Sequence, residues 1–288
     1  MKQYKVIGIG DNVVDKYVHQ GIMYPGGNAL NFSVYATMCG MESAYLGKFG
    51  SDEVAGYIRQ VIDELKIDRS CCREYEGENG YARVTLEDGD RVFLGSNKGG
   101  IAKEHAWQFT KSDLDYIKQF AVIHTSLNSY IEQDLTVLRE SGVPISYDFS
   151  VRWNDGYLEQ VCPNVDISFL SCSHLTAEER EREMRKAQRF GSKIVVGTVG
   201  ENGSYALFGD QWIFHPAVST EAVDTMGAGD SYITAFLVEL IRNSDGRIEF
   251  GQESEMLGKI KSSMSKGAEF AAEICRVNGA FGFGTPLV

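Results

Sequence analysis

The chain has 288 residues, a formal net charge of −12, 43% hydrophobic residues, 31 glycines and 5 prolines. That length suits one large α/β domain with a modest appendage, and the apolar content is enough for a sizeable core. The acidic balance argues against a general nucleic-acid or anionic-membrane binder, but backbone N–H groups at a helix start can still hold a phosphate.

Six cysteines (Cys39, Cys71, Cys72, Cys162, Cys172 and Cys275) form no C-x-x-C pair and read as reduced thiols of a cytoplasmic protein. The first residues lack the apolar run of a signal peptide. No segment approaches the about 20 apolar residues of a membrane span.

In chain order, residues 4–10 read as a buried strand ending in glycine. Residues 28–39 carry a helical pattern that stops at Gly40, a plausible left-handed end residue. Residues 43–49 read as a second strand, and Ser51 is expected to cap a helix with Asp52 and Glu53 in its first turn. This alternation is that of a parallel sheet covered by helices. Residues 81–86 and 91–94 break the pattern as two β-rich runs joined through Glu87-Asp88-Gly89-Asp90, a hairpin signal. With strands from 13–24 they would form a small accessory sheet.

Strand candidates resume at 121–125, 144–148, 166–170 and 193–198, with helices between them. Thr176-Ala177-Glu178-Glu179 is a capping box opening a helix with a charged, solvated face. No repeat or linker interrupts the chain. The expectation is one α/β domain over 1–288, a mostly parallel sheet flanked by helices, with a β lid from about 12–26 and 80–100.

The chemistry concentrates in Asp224-Thr225-Met226-Gly227-Ala228-Gly229-Asp230-Ser231, ahead of an apolar helical run at 232–241. Two glycines at a helix start allow close backbone approach to a ligand, and the unpaired N–H groups there favour an anion. Asp230, in the first turn, stands where a carboxylate can take the proton of an attacking hydroxyl.

At this octet the sequence resembles the ribokinase (PfkB-type) carbohydrate kinase family, whose C-terminal signature D-T-x-G-A-G-D is matched by residues 224–230 without departure. The family's G-G-x-x-x-N segment is matched by Gly26-Gly27-Asn28-Ala29-Leu30-Asn31. Its first strand, ending in glycine with an Asp beyond, is matched by Gly10-Asp11-Asn12-Val13-Val14-Asp15. The resemblance spans nearly the whole chain and implies the ribokinase-like fold and an ATP-dependent sugar kinase using Mg²⁺.

It also implies roles. Asp230 would be the catalytic base, and Gly227, Ala228 and Gly229 the anion hole. Asp15 would hold sugar hydroxyls, with Gly27, Asn28 and Asn31 as further substrate contacts. Asp11 is a substrate candidate that reads equally well as a turn carboxylate. Thr198, Gly200 and Gly203 match the nucleotide loop T-x-G-x-x-G. Asn278, Gly279 and Gly284 lie where the family closes over the nucleotide. Asp224 and the carbonyl of Met226 match residues that bind K⁺ in some relatives.

One element departs. Where the family often has N-x-x-E, linked to magnesium and phosphate handling, this chain has Ser171-Cys172-Ser173-His174. Fructoselysine 6-kinase members tend to lack that pattern too, and the texture of GDNVVD, PGGNALNFSVYA and YDFS with Trp153 is similar to theirs. An Amadori sugar-amine is therefore the expected substrate, with fructose, another ketose or a nucleoside as alternatives. A binding regulator that lost activity would be expected to lack Asp230 or the glycines. A Rossmann dehydrogenase would need a third glycine after Gly8 and Gly10, and would not place Asp11 and Asp15 against a pyrophosphate. A homodimer through the lid edges is the expected assembly.

Overall fold

A computed structural model describes residues 4–87 and 90–288. Strand β1 (Lys5–Gly10) leads through β2 (Val13–Tyr17) and β3 (Ile22–Gly26) into helix α1 (Asn28–Met38), then β4 (Glu42–Phe49) and α2 (Glu53–Glu64). Next come β5 (Arg73–Glu74), β6 (Gly80–Glu87), β7 (Asp90–Ser96), α3 (Ile101–Glu104), α4 (Lys111–Ile117) and β8 (Ile123–Ser126). The chain continues with α5 (Leu135–Arg139), β9 (Ile145–Asp148), α6 (Asp155–Val161), β10 (Ile167–Ser171), α7 (Ala177–Phe190) and β11 (Ile194–Thr198). It ends with β12 (Ser204–Phe208), β13 (Gln211–His215), α8 (Ala228–Arg242), α9 (Glu253–Ile274) and β14 (Thr285–Pro286).

Among the described residues the large sheet has the strand order β13-β12-β11-β10-β9-β8-β1-β4-β5. Neighbours are parallel from β5 to β11, while β12 and β13 run antiparallel. The central strands are buried on both faces: every residue of β8 and β9 is buried, the polar His124, Thr125, Ser126 and Ser146 included, and β1 is buried from Val6 to Gly10. One core packs Trp107, Tyr147, Leu158 and Met184 against one face, and another packs Phe32, Phe169, Phe236 and Ile260 against the opposite face. Gly8 lets α1 lie directly on β1, since a Cβ there would come 2.2 Å from the carbonyl oxygen of Ala29.

The second sheet has the order β14-β3-β2-β6-β7. It stands as a lid beyond the C-terminal ends of the parallel strands, where open α/β sheets bind ligands. Buried Lys48 ties the chain leaving the lid to β4. Its ammonium donates to the carbonyls of Ala102 (3.0 Å) and His105 (2.5 Å) and sits 4.1 Å from the Trp107 ring centre.

The fold class and the strands around the site agree with the sequence, with two differences, at the cap of α2 and in elements that were not anticipated. Asp52, rather than Ser51, caps α2: its Oδ1 accepts from the Ala55 N–H at 2.9 Å, while the Ser51 hydroxyl accepts from Gly77. Both residues are good caps, so only the backbone decides between them. The Asp88-Gly89 turn lies outside the described residues, although its flanking strands pair antiparallel. Strands β12, β13 and β14 and the long α9 were not anticipated. No helix among the described residues is long and apolar enough to cross a membrane.

Candidate active site

The site is built where α1 and α8 begin. Gly27 precedes α1 with φ 116°, and a Cβ there would approach the Asp11 carbonyl oxygen to 2.8 Å. The Asp11 carboxylate caps this helix, accepting from the backbone N–H of Asn28 (2.9 Å) and Ala29 (3.2 Å). The hydroxyls of Ser126 (3.4 Å) and Ser129 (3.2 Å) also donate to it. Burial raises the Asp11 carboxyl against the pull of those backbone amides. At 5% exposure Asp11 holds α1 in place.

So anchored, α1 aims two amides at Asp230. Asn28 Nδ2 donates to Asp230 Oδ1 at 2.8 Å and Asn31 Nδ2 donates to Oδ2 at 2.6 Å. Asp230 is the third residue of α8, and Gly227 before that helix takes φ 76°. The first N–H groups of a helix have no intrahelical acceptor; that of Ala228 makes only a long 3.3 Å contact to Thr225. Burial pushes the Asp230 carboxyl up to about 7, the nearby Asp148 charge adds to the rise, and the two asparagine amides oppose it. A carboxylate poised near neutral pH is suited to general-base work.

The Asn28 amide also donates to Asp148 Oδ2 at 3.0 Å, and its Oδ1 accepts from Asn128 Nδ2 at 2.7 Å. Asn128 Oδ1 in turn accepts from the exposed Arg152 guanidinium. Burial raises the Asp148 carboxyl to about 6, partly offset by the Ser150 N–H.

Asp15 on β2 is 8% exposed and faces Asn31 across Gly26. A Cβ on Gly26 would lie 2.9 Å from Asp15 Oδ2 and 3.8 Å from Asn31 Oδ1. Asn31 is 4% exposed, yet its Oδ1 accepts no hydrogen bond. Buried acceptors are nearly always satisfied, so this one fits a ligand donor such as a sugar hydroxyl.

Asp224 accepts from the Met226 N–H (2.9 Å), the Gly279 N–H (3.0 Å) and the Tyr17 hydroxyl (2.6 Å). It therefore knits together the lid, the start of α8 and the C-terminal loop. Gly279 is packed under Tyr24, whose Cγ would be 2.5 Å from an added Cβ, and Asn278 beside it is exposed. Gly284 is confined by the same ring.

Thr198 ends β11, followed by Gly200 (φ 57°) and Gly203 (φ 99°). A Cβ on Gly203 would meet the His215 carbonyl oxygen at 2.2 Å. The Ser204 hydroxyl pairs with the Tyr232 hydroxyl at 2.7 Å, linking this loop to α8. Ser173 lies beside Gly200, and the His174 ring lies 5.8 Å from that of Trp153. Among the described residues no cluster of three His, Cys, Asp or Glu side chains could hold a metal ion.

Asp148, Asn128 and Arg152 were not singled out from the sequence. The available signal was position, because Asp148 closes a parallel strand at the end of the sheet where ligands bind.

The arrangement of sheet, lid and glycine-started helix is that of the ribokinase-like folds. Arabidopsis thaliana ribokinase complexed with ribose and ATP superposes with a TM-score of 0.79 over 98% of this chain and 95% of that one, at 19% identity. The chain belongs to the pfkB family of carbohydrate kinases, whose model matches residues 2–276. It is 40% identical to the fructosamine kinase FrlD of Bacillus subtilis (strain 168) over 283 residues, covering 98% of this chain and 94% of the relative. It is 31% identical to the fructoselysine 6-kinase of Escherichia coli (strain K12) over 229 residues, covering 80% of this chain and 86% of the relative.

Proposed function

We propose that this protein phosphorylates the 6-hydroxyl of an Amadori sugar-amine, such as fructoselysine, with ATP as donor. The observation that carries the reading is the Asp230 carboxylate, fixed by Asn28 and Asn31 at the start of α8 in a chain 40% identical to a fructosamine kinase.

In this reading Asp15 and the unsatisfied Asn31 Oδ1 receive sugar hydroxyls, and Gly27 and Asn28 complete the sugar side. Thr198, Gly200, Gly203, Asn278 and Gly279 border the nucleotide. Asp230 takes the proton of the sugar hydroxyl as its oxygen bonds to the γ-phosphorus, and the bond from that phosphorus to the ADP oxygen breaks. The N–H groups of Gly227, Ala228 and Gly229 stabilise the charge on the group in transfer. Mg²⁺ would accompany the nucleotide and neutralise the charge of its phosphates. The lid excludes water that would otherwise compete as acceptor.

The test is ADP release with ATP and Mg²⁺ against fructoselysine, psicoselysine, fructose, ribose and adenosine. Strong turnover on a sugar-amine supports the reading. Turnover confined to fructose, ribose or adenosine discards the substrate and keeps the mechanism. Silence on the whole panel, with ATP still bound, counts against the proposal.

A further inference from the structure

We propose that Asp148 is a positioning residue for the transfer: through the Asn28 amide it shares with Asp230, it holds a second negative charge beside the base and strengthens the pull on the hydroxyl proton. The catalytic part of this rests on the role proposed for Asp230.

The geometry begins with one nitrogen. Asn28 Nδ2 carries two hydrogens, one bonded to Asp230 Oδ1 (2.8 Å) and the other to Asp148 Oδ2 (3.0 Å). The two carboxylates are therefore no further apart than two hydrogen bonds end to end. The direction of the amide is fixed from outside. Arg152 can only donate, so Asn128 Oδ1 must face it. Asn128 Nδ2 must then donate to Asn28 Oδ1, which leaves the Asn28 NH₂ for the two acids. A cation at the rim thus sets the polarity of a relay ending on the base.

Asp148 is held with equal care. Its Oδ1 accepts from the Ser150 N–H at 2.7 Å, with Ser150 in the left-handed region at φ 50°. A turn-capping carboxylate needs only that oxygen. Here Oδ2 is turned to Asn28 instead of to solvent, and Asp148 is 8% exposed. Strained backbone of this kind persists where the surroundings enforce it, often at functional sites.

Other groups face Asp230. Asp11 follows β1, Asn28, Asn31 and Tyr35 come from α1, and Asp15 lies on the lid beyond Asn31. Asp148 exerts the largest charge effect on Asp230, ahead of Asp11, while Arg152 is the cation acting on Asp148.

The experiment follows the Asp230 carboxyl by ¹³C NMR as pH is raised, in the unliganded protein, with the signal assigned by its loss in Asp230→Asn. Asp148→Asn keeps the shape and should lower the midpoint by about 0.5–1 on the pH scale. Asn28→Ala removes a hydrogen bond to the charged base and should move the midpoint the other way. Asp148→Glu keeps the charge and should leave it near wild type. On whichever sugar is phosphorylated, the acid limb of kcat/KM should follow the same order, with the Asp148→Asn plateau reduced about 3–10-fold. A midpoint unmoved by Asp148→Asn, or moved in the same direction by both variants, overturns the proposal. The NMR result decides this even if no sugar tested is phosphorylated, an outcome that would count against the proposed function alone.

Discussion

The Tyr17 hydroxyl on the lid donates to Asp224 at 2.6 Å, joining β2 to the segment that begins α8. Tyr17 is almost fully buried, and Asp224 also holds the Met226 and Gly279 N–H groups. One carboxylate therefore couples lid position to the turn that starts α8. Tyr17→Phe removes one hydrogen bond to a partly buried carboxylate whose Oδ2 keeps the Gly279 N–H, which costs about 1 kcal/mol. The expected result is a lower melting temperature and a KM for sugar raised several-fold, with kcat falling less. Thermal melts and initial rates check it.

Gly227 and Gly229 differ in what a side chain would meet. A Cβ at Gly227 would lie 2.1 Å from the Tyr35 hydroxyl, on a backbone with φ 76°, whereas one at Gly229 meets nothing within 4 Å. Gly227→Ala should destabilise by about 1–3 kcal/mol through strain and displace the start of α8. Gly229→Ala should melt close to wild type yet lose turnover, because its methyl group would intrude on the phosphoryl group proposed to lie there. Comparing melting temperature with kcat for the pair separates the two effects.

Burial raises the carboxyls of Asp230 and Asp148, to about 7 and about 6. Between the unfolded-state value and these, the folded protein binds more protons than the unfolded chain. Stability from these groups is therefore greatest at low pH and is lost as pH rises through them. Asp230→Asn and Asp148→Asn should each raise the melting temperature of the unliganded protein at pH 8, and the gain should shrink toward pH 4. Melts across that range provide the check.

What the sequence disclosed was what lies in contiguous segments. The octet containing Asp230 and the Gly27–Asn31 stretch each sit within a few residues of one helix start, where glycine geometry and the helix dipole demand particular residue types. The Asp148, Asn128 and Arg152 relay was hidden because its members leave the ends of two strands and meet only through the sheet. Asp11 shows the opposite limit. Its position beside the first strand fits a substrate contact and a turn carboxylate equally well, and only the fold shows its carboxylate accepting from the first amides of α1 and from two serines. The β12–β13 pair went unread because antiparallel strands after a parallel run follow no alternation that periodicity can carry forward.

The most direct test of the account is turnover by Asp230→Asn, with ATP and sugar binding measured on the same sample by calorimetry. The substitution keeps the size of the side chain and removes its ability to take a proton. The account predicts binding close to wild type with kcat lowered by about 10² or more, the weight of a positioned general base. Near-normal turnover in that variant would contradict it.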